Sequence, residues 1–262
     1  MTAERDLSRR RLLGLGAAGL SSLTLSGCGR LDFLADEGAA RNLMARANGL
    51  TYRIQRALAG NALAPEYAET EIRQGQRPNG SRDPDSPAYL ALKAKGFADY
   101  RLVVDGLVQR PRAFSLAELH NMPSRTQITR HDCVEGWSCI AKWTGTPLSH
   151  LLDQVQVLPA ARFVVFHCFD DLGNTRSGPA LYYESCDMID ARHPQTIAAY
   201  GLNGRALPVA NGAPLRIRVE RALGYKQAKY VHRIELVDSF ARLWGGKGGY
   251  WEDRGYDWFA GI

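Results

Sequence analysis

Among 262 residues there is no Cys-x-x-Cys, no GxGxxG after a strand, no phosphate-loop signature and no internal repeat. Those gaps exclude paired-thiolate zinc modules, Rossmann dinucleotide domains, P-loop nucleotide hydrolases and solenoids. There is no Cys-x-x-Cys-His either, so covalent haem is excluded. The basic residues form no long run and no array interleaved with aromatics, which removes the usual nucleic-acid footprint. Nucleic acid is therefore not an expected partner. Only five cysteines occur: Cys28, Cys133, Cys139, Cys168 and Cys186.

What is present is an ordinary soluble composition, 45% hydrophobic and 23% charged, at a length that supports one substantial core. The formal charge is +6; residues 1–27 hold Arg5, Arg9, Arg10 and Arg11 against Glu4 and Asp6, so without them about +4 remains. A balance this mild fits an anionic cofactor or a small oxyanion as well as neither.

Ser8-Arg9-Arg10-Arg11-Leu12-Leu13 precedes an uncharged, Gly- and Ala-rich stretch from Leu12 to Gly27. That stretch is short for a bilayer span, and paired arginines before a mild apolar segment mark twin-arginine export. Leu25-Ser26-Gly27-Cys28 then matches a lipobox, so cleavage before Cys28 and lipidation of its sulfur would tether the chain to a membrane surface. The expected location is periplasmic or otherwise extracytoplasmic.

Three segments are expected: a signal over 1–28, a helical and loop extension over 29–95, and a catalytic domain over 96–262. Leu43, Met44, Leu50, Ile54 and Leu58 fall at helical spacing. Arg73 to Pro87 is a polar loop, and Ser86-Pro87 opens a short helix. Further on, Ser115 to Glu118 forms a capping box and Thr146-Pro147 opens a helix to about Val155. Tyr100–Val108, Ala161–Phe169, Leu215–Val219 and Tyr230–Val237 read as strands. Short helices and strands without a βαβ rhythm predict an α+β fold with mixed sheets. The Trp244–Tyr256 tail is expected to pack as an extended arm, the other reading being a segment that flanks a substrate funnel.

Cys133 has unusual company: Thr129-Arg130-His131-Asp132-Cys133-Val134-Glu135-Gly136-Trp137-Ser138. Arg130 and His131 would stabilise a thiolate, the form that binds metal. Taken alone, the cluster fits a metal ligand, a buried thiol or a disulfide partner. Cys139, Cys168 and Cys186 are left as an odd set, which argues for buried thiols at least in part. His120, His150, His167, His193 and His232 are scattered.

Asp132-Cys133-Val134-Glu135-Gly136-Trp137, followed by Trp143-x-Gly145, resembles the metal-ligand motif of the sulfite oxidase family, in its bacterial monomeric, methionine sulfoxide reductase-like branch. A second block, Leu207-Pro208-Val209-Ala210-Asn211-Gly212-Ala213-Pro214-Leu215-Arg216, resembles the pterin-binding turn. The resemblance runs from about Tyr100 to Asp238. It implies a molybdenum–molybdopterin cofactor with one pterin and Cys133 as the protein's metal ligand. It also implies pterin contacts from Asn211 and Arg216, with Gln227, Ala228 and Lys229 closing over the phosphate. Cys168 stands where relatives have a pterin-contacting threonine, and Asn79, in Arg77-Pro78-Asn79-Gly80, is the substitute found for an N-terminal contact. Arg130 is the candidate for attracting substrate, while Arg218 is expected on a solvated strand face.

Only 33 residues follow Lys229, too few for the family's immunoglobulin-like dimerisation domain of about 100 residues. A monomer that exchanges electrons with a separate carrier, a membrane cytochrome or quinone-linked protein, is expected. The expected chemistry is two-electron oxygen-atom transfer on a small oxyanion or an S- or N-oxide. Two rival readings are a non-catalytic anion-binding lipoprotein and a thiol redox enzyme using Cys133.

Overall fold

The computed structural model describes residues 37–175 and 178–262. The export segment and the Leu25–Cys28 motif lie outside the described residues. The chain divides into two compact units, 1–54 and 55–262. Helix α1 (Glu37–Ala59) is one continuous 23-residue helix. None of the described helices is long and apolar enough to cross a membrane.

The second unit is built on two five-stranded sheets. The first runs β2-β1-β10-β5-β6, from β1 (Arg101–Gly106), β2 (Arg112–Ser115), β5 (Phe163–Thr175), β6 (Gly178–Asp187) and β10 (Val231–Val237). Its β1–β10 pair is parallel and its other pairs are antiparallel, so the sheet is mixed as expected. The second sheet runs β3-β4-β7-β8, from β3 (Arg125–Cys133), β4 (Trp137–Pro147), β7 (Ile197–Leu202) and β8 (Arg205–Ala206). Its fifth strand, β9 (Arg216–Arg218), pairs with β7.

Short helices cover these sheets: α2 (Pro87–Ala94), α3 (Leu116–Asn121), α4 (Leu148–Val155) and α5 (Met188–Ala191). Helix α3 opens with the reciprocal Ser115–Glu118 capping box. Helix α4 buries Leu148, Leu151, Leu152 and Val155, the i, i+3, i+4, i+7 stripe that its sequence spells out. The main core gathers Leu102, Val104, Val164, Val165, Phe166, Ile234 and Leu236 with that helix. A smaller cluster of Ala141, Trp143, Ile197, Ala199, Leu202 and Leu207 belongs to the second sheet.

The polar loop before α2 is held by main-chain bonds to the second sheet. The Tyr67 N–H donates to the Ile128 carbonyl (2.9 Å) and the Arg73 N–H to the Ile140 carbonyl (3.0 Å). Those bonds carry Asn79 to Ser81 to the end of the sheet where β3 stops.

One expectation needs correction. Arg218 is fully buried, because both carboxylate oxygens of Glu220 accept from its guanidinium (2.9 and 2.7 Å) and its charge lies over Trp143. The cysteines agree with the expectation of buried thiols: the four described ones are all free, and Cys139, Cys168 and Cys186 are buried, so no disulfide forms among the described residues.

Candidate active site

Cys133 closes the β3–β4 hairpin. It is the last ladder position, paired with Trp137, and a three-residue turn separates them. Gly136 holds φ at +82°, a left-handed conformation that favours glycine at the third position of such a turn. The turn presents the half-buried Cys133 thiol to a cavity of about 380 Å³. Asn79, Ser81, Asp170, Gln227 and Lys229 line the same cavity. Its aromatic wall holds Tyr182, Tyr225, Tyr250, Trp251 and Tyr256.

Beside it lies a concentration of buried cations. Arg216 and Arg218, alternate residues of β9, bring their guanidinium carbons to 4.8 and 4.4 Å from the Trp143 ring centroid. Arg218 is neutralised by Glu220. Arg216 is not: among the described residues it meets oxygens of amides only, the Asn211 carbonyl at 3.0 Å and Asn79 Oδ1 and the Gln227 carbonyl at 3.5 Å. Its Nε is buried without a partner. Burial, then repulsion from Arg218, pulls the Arg216 pKa down to about 9.

Lys229 likewise donates only to the carbonyls of Ser81 and Ala210. Burial, followed by the charge of Arg216, lowers its pKa to about 7. Gly212 sits between the two cations. A Cβ there would stand 3.1 Å from Cβ of both Arg216 and Lys229, so the turn backbone approaches them more closely than a side chain would comfortably allow.

Asn79, Asn211, Arg216, Gln227 and Lys229 are thus drawn to this end of the molecule. Asn211 is buried, with its Nδ2 donating to the Gln76 carbonyl at 3.4 Å. Ala228 and Cys168 belong instead to the hydrophobic core, and burial lifts the Cys168 thiol well above its ordinary range. Neither lines the cavity. Arg130 does not join either. It has the opposite strand parity to Cys133, is exposed, and is paired with Asp132 at 2.9 Å.

The anticipated support for a thiolate also fails. Arg130 faces away, and burial, aided by Arg218, holds His131 neutral. The Cys133 pKa is raised, mainly by burial and further by Glu135, against backbone hydrogen bonds from Glu135 and Val134. Without metal the sulfur carries its proton.

Asp170, Tyr182 and Tyr225 were not read from the sequence, whereas Tyr250, Trp251 and Tyr256 belong to the tail that the sequence set beside a substrate funnel. Asp170 is buried; Ser81 donates to one oxygen at 2.7 Å, while the other has no partner, and burial pushes its pKa up to about 6. The parity of Val164, Phe166 and Cys168 runs on to Asp170, and an acid on a core register is the signal that could have exposed it. The aromatic wall depends on the C-terminal arm. Buried Lys226 bridges Glu184 and Glu252 (2.5 Å to the latter), Tyr183 donates to Asp253 at 2.5 Å, and Tyr225 to the Asp257 carbonyl at 2.8 Å.

The arrangement fits an anionic ligand with a hydrogen-bonding heterocycle. Two buried cations have no carboxylate hydrogen-bonded to them among the described residues, amides and one acid, Asp170, lie alongside, and one thiol stands at the cavity edge.

Residues 90–243 match the family model described as an oxidoreductase molybdopterin binding domain. The chain is 37% identical over 257 residues to a putative protein-methionine-sulfoxide reductase subunit, YedZ1, of Azospira oryzae, covering 96% of this chain and 86% of that one. It is 38% identical over 145 residues to the protein-methionine-sulfoxide reductase catalytic subunit MsrP of Ralstonia nicotianae, spanning 53% of this chain and 44% of that protein. Among solved structures, the sulfane dehydrogenase SoxCD of Paracoccus pantotrophus aligns with a TM-score of 0.48 at 22% identity, over 68% of this chain and 46% of that one.

Proposed function

This chain belongs to the oxidoreductase molybdopterin-binding family, and from that premise we propose that it reduces thioether S-oxides with a molybdenum atom held by Cys133. The family makes it a molybdopterin-dependent oxidoreductase.

The observation that carries the reading is a deficit of negative charge. Arg216 and Lys229 are desolvated with no carboxylate hydrogen-bonded to either among the described residues, Asp170 and Glu220 acting on them only through space, an arrangement costing several kcal/mol unless an anion joins it. The terminal phosphate of a pterin cofactor is such an anion. Arg216 and Lys229 would bind it, with Asn79, Asn211 and Gln227 offering amide groups to the remainder of the cofactor. Cys133 would supply the thiolate, its raised pKa meaning that coordination must displace a proton. When bound, the molybdenum centre supplies two-electron chemistry coupled to gain or loss of an oxygen atom.

A thioether S-oxide substrate suits the cavity and is the substrate class of both reductase relatives. Tyr225, Tyr250, Trp251 and Tyr256 offer aromatic faces to an apolar side chain carrying an S-oxide, as aromatic rings do for sulfur. Ala228 and Cys168 would pack beneath the cofactor without touching it, and Arg130 has no part in the chemistry. Electrons would come from a separate carrier, and the enzyme would work outside the cytoplasm after twin-arginine export, tethered through Cys28.

The test is metal analysis of protein from a host that makes molybdopterin. About one molybdenum per chain is expected in the parent, and Cys133→Ser should lose both the metal and reduction of methionine sulfoxide. Cys139→Ser, altering a buried thiol off the cavity, should retain both. A Cys133→Ser protein that keeps its turnover overturns the proposal.

A further inference from the structure

Helix α1 carries a stripe of exposed apolar residues. Leu43, Leu50, Ile54 and Leu58 are exposed, Leu58 at 84%, while Gln55 and Arg56, at its C-terminal end in the second unit, are half-buried. At about 100° per residue the four apolar residues fall within an arc of about 80°. Helices of globular proteins bury such a stripe and expose the polar face. Within the second unit it is the polar side of the last turns that is held: Arg56 pairs with Asp187 and Asp190 at 2.8 and 2.6 Å. Exposed Arg46 and Arg53 run along one edge of the stripe.

We infer that α1 lies in the interface of an anionic lipid bilayer, with Leu43, Leu50, Ile54 and Leu58 among the acyl chains and Arg46 and Arg53 at the headgroups. Two observations choose lipid over a protein partner, and a third has the helix lie along the bilayer and not across it. A stripe edged by long cationic side chains is the pattern of interfacial helices, whose charges reach up to phosphates while their stems stay apolar. The helix carries too much polar surface to span a membrane. The Leu25-Ser26-Gly27-Cys28 motif lies nine residues before Glu37. An extended tether of that length reaches about 30 Å at most, which keeps the stripe near any membrane holding Cys28. One lipid signal gives reversible attachment and a second makes it stable, so α1 would be the second signal. The inference rests in part on the reading of Cys28 as a lipid attachment site, and not on the molybdenum chemistry.

The test uses the full chain carrying Cys28→Ser, which removes the covalent anchor, against the same chain with Leu50→Glu and Ile54→Glu added. Each is mixed with vesicles of phosphatidylcholine, alone or with phosphatidylglycerol, and sedimented. The two glutamates should lower partitioning into the mixed vesicles at least about tenfold. Replacing Arg46 and Arg53 with Gln should weaken binding to the mixed vesicles and leave binding to the neutral ones unchanged. Equal partitioning with and without the glutamates overturns the inference. So does a parent that ignores both vesicles but self-associates until the glutamates are introduced, since the occupant is then a second copy. Molybdenum content and turnover should be the same in every variant, so a failure here is distinguishable from a failure of the proposed chemistry.

Discussion

The two sheets of the second unit solve folding in opposite ways. Strand β5 of the first sheet turns Val164, Val165 and Phe166 into a fully apolar core. Strand β3 of the second sheet points Gln127, Thr129 and His131 inward, and β9 buries Arg216 and Arg218 on either side of Ile217. The first sheet stabilises itself by removing hydrocarbon from water. The second holds polar and charged groups that are only partly matched within the protein. Stability lies in one sheet and an unfilled demand for a ligand in the other.

The largest effect that tests this contrast is in the first sheet. Phe166→Ala should cost about 3–5 kcal/mol in denaturant unfolding. Cofactor content per folded chain should not change. A smaller and opposite effect belongs to the second sheet. In protein made without pterin synthesis, Arg216→Met should raise stability by about 1–2 kcal/mol, because it removes a buried charge that has no counter-ion. The same variant made in a competent host should lose its molybdenum. If Arg216→Met instead destabilised the apo protein as much as Phe166→Ala, the division of labour between the sheets would be wrong.

The same contrast governs what could be read from the sequence. The Leu148–Val155 stripe, the Ser115–Glu118 capping box and the Ala161–Phe169 run all announce themselves, because apolar periodicity and capping chemistry are local signals. Strand β3 was invisible: its inward residues are Gln127, Thr129 and His131, which spell no hydrophobic alternation. Strand β7 buries all but one of its residues, so Ile197 to Leu202 shows no two-residue period either. Arg218 looked like a solvated residue because its partners, Glu220, Trp143 and His131, are assembled partly from other strands. Cys133, Asn211, Arg216 and Lys229 were legible as motif positions, whereas the aromatic wall required the C-terminal arm to be folded back by Lys226. Arg130 lies three residues from Cys133, and an odd separation along a strand puts the two on opposite faces.

The smallest expected effect is also the most specific. The Lys229 pKa is lowered to about 7 in the folded chain, chiefly by burial and then by Arg216, against about 10.4 when unfolded. Below pH 7 both states hold the proton, and the folded state bears the full cost of the charge. Between about pH 7 and 10 the folded chain has shed a proton that the unfolded chain keeps, so this group makes stability rise with pH. Lys229→Met, which removes the charge, should therefore raise the apo melting temperature at pH 6, by about 2–4 °C. The margin should shrink toward pH 9. Asp170, with a pKa pushed up to about 6, is the nearby acid that offsets Lys229. Adding Asp170→Asn to both proteins should widen the margin at pH 6. In cofactor-loaded protein the sign should invert, since a bound phosphate restores the lysine's proton and makes it an asset. A margin independent of pH in the apo protein would mean that Lys229 is solvated, and that the deficit of negative charge beside Cys133 rests on Arg216 alone.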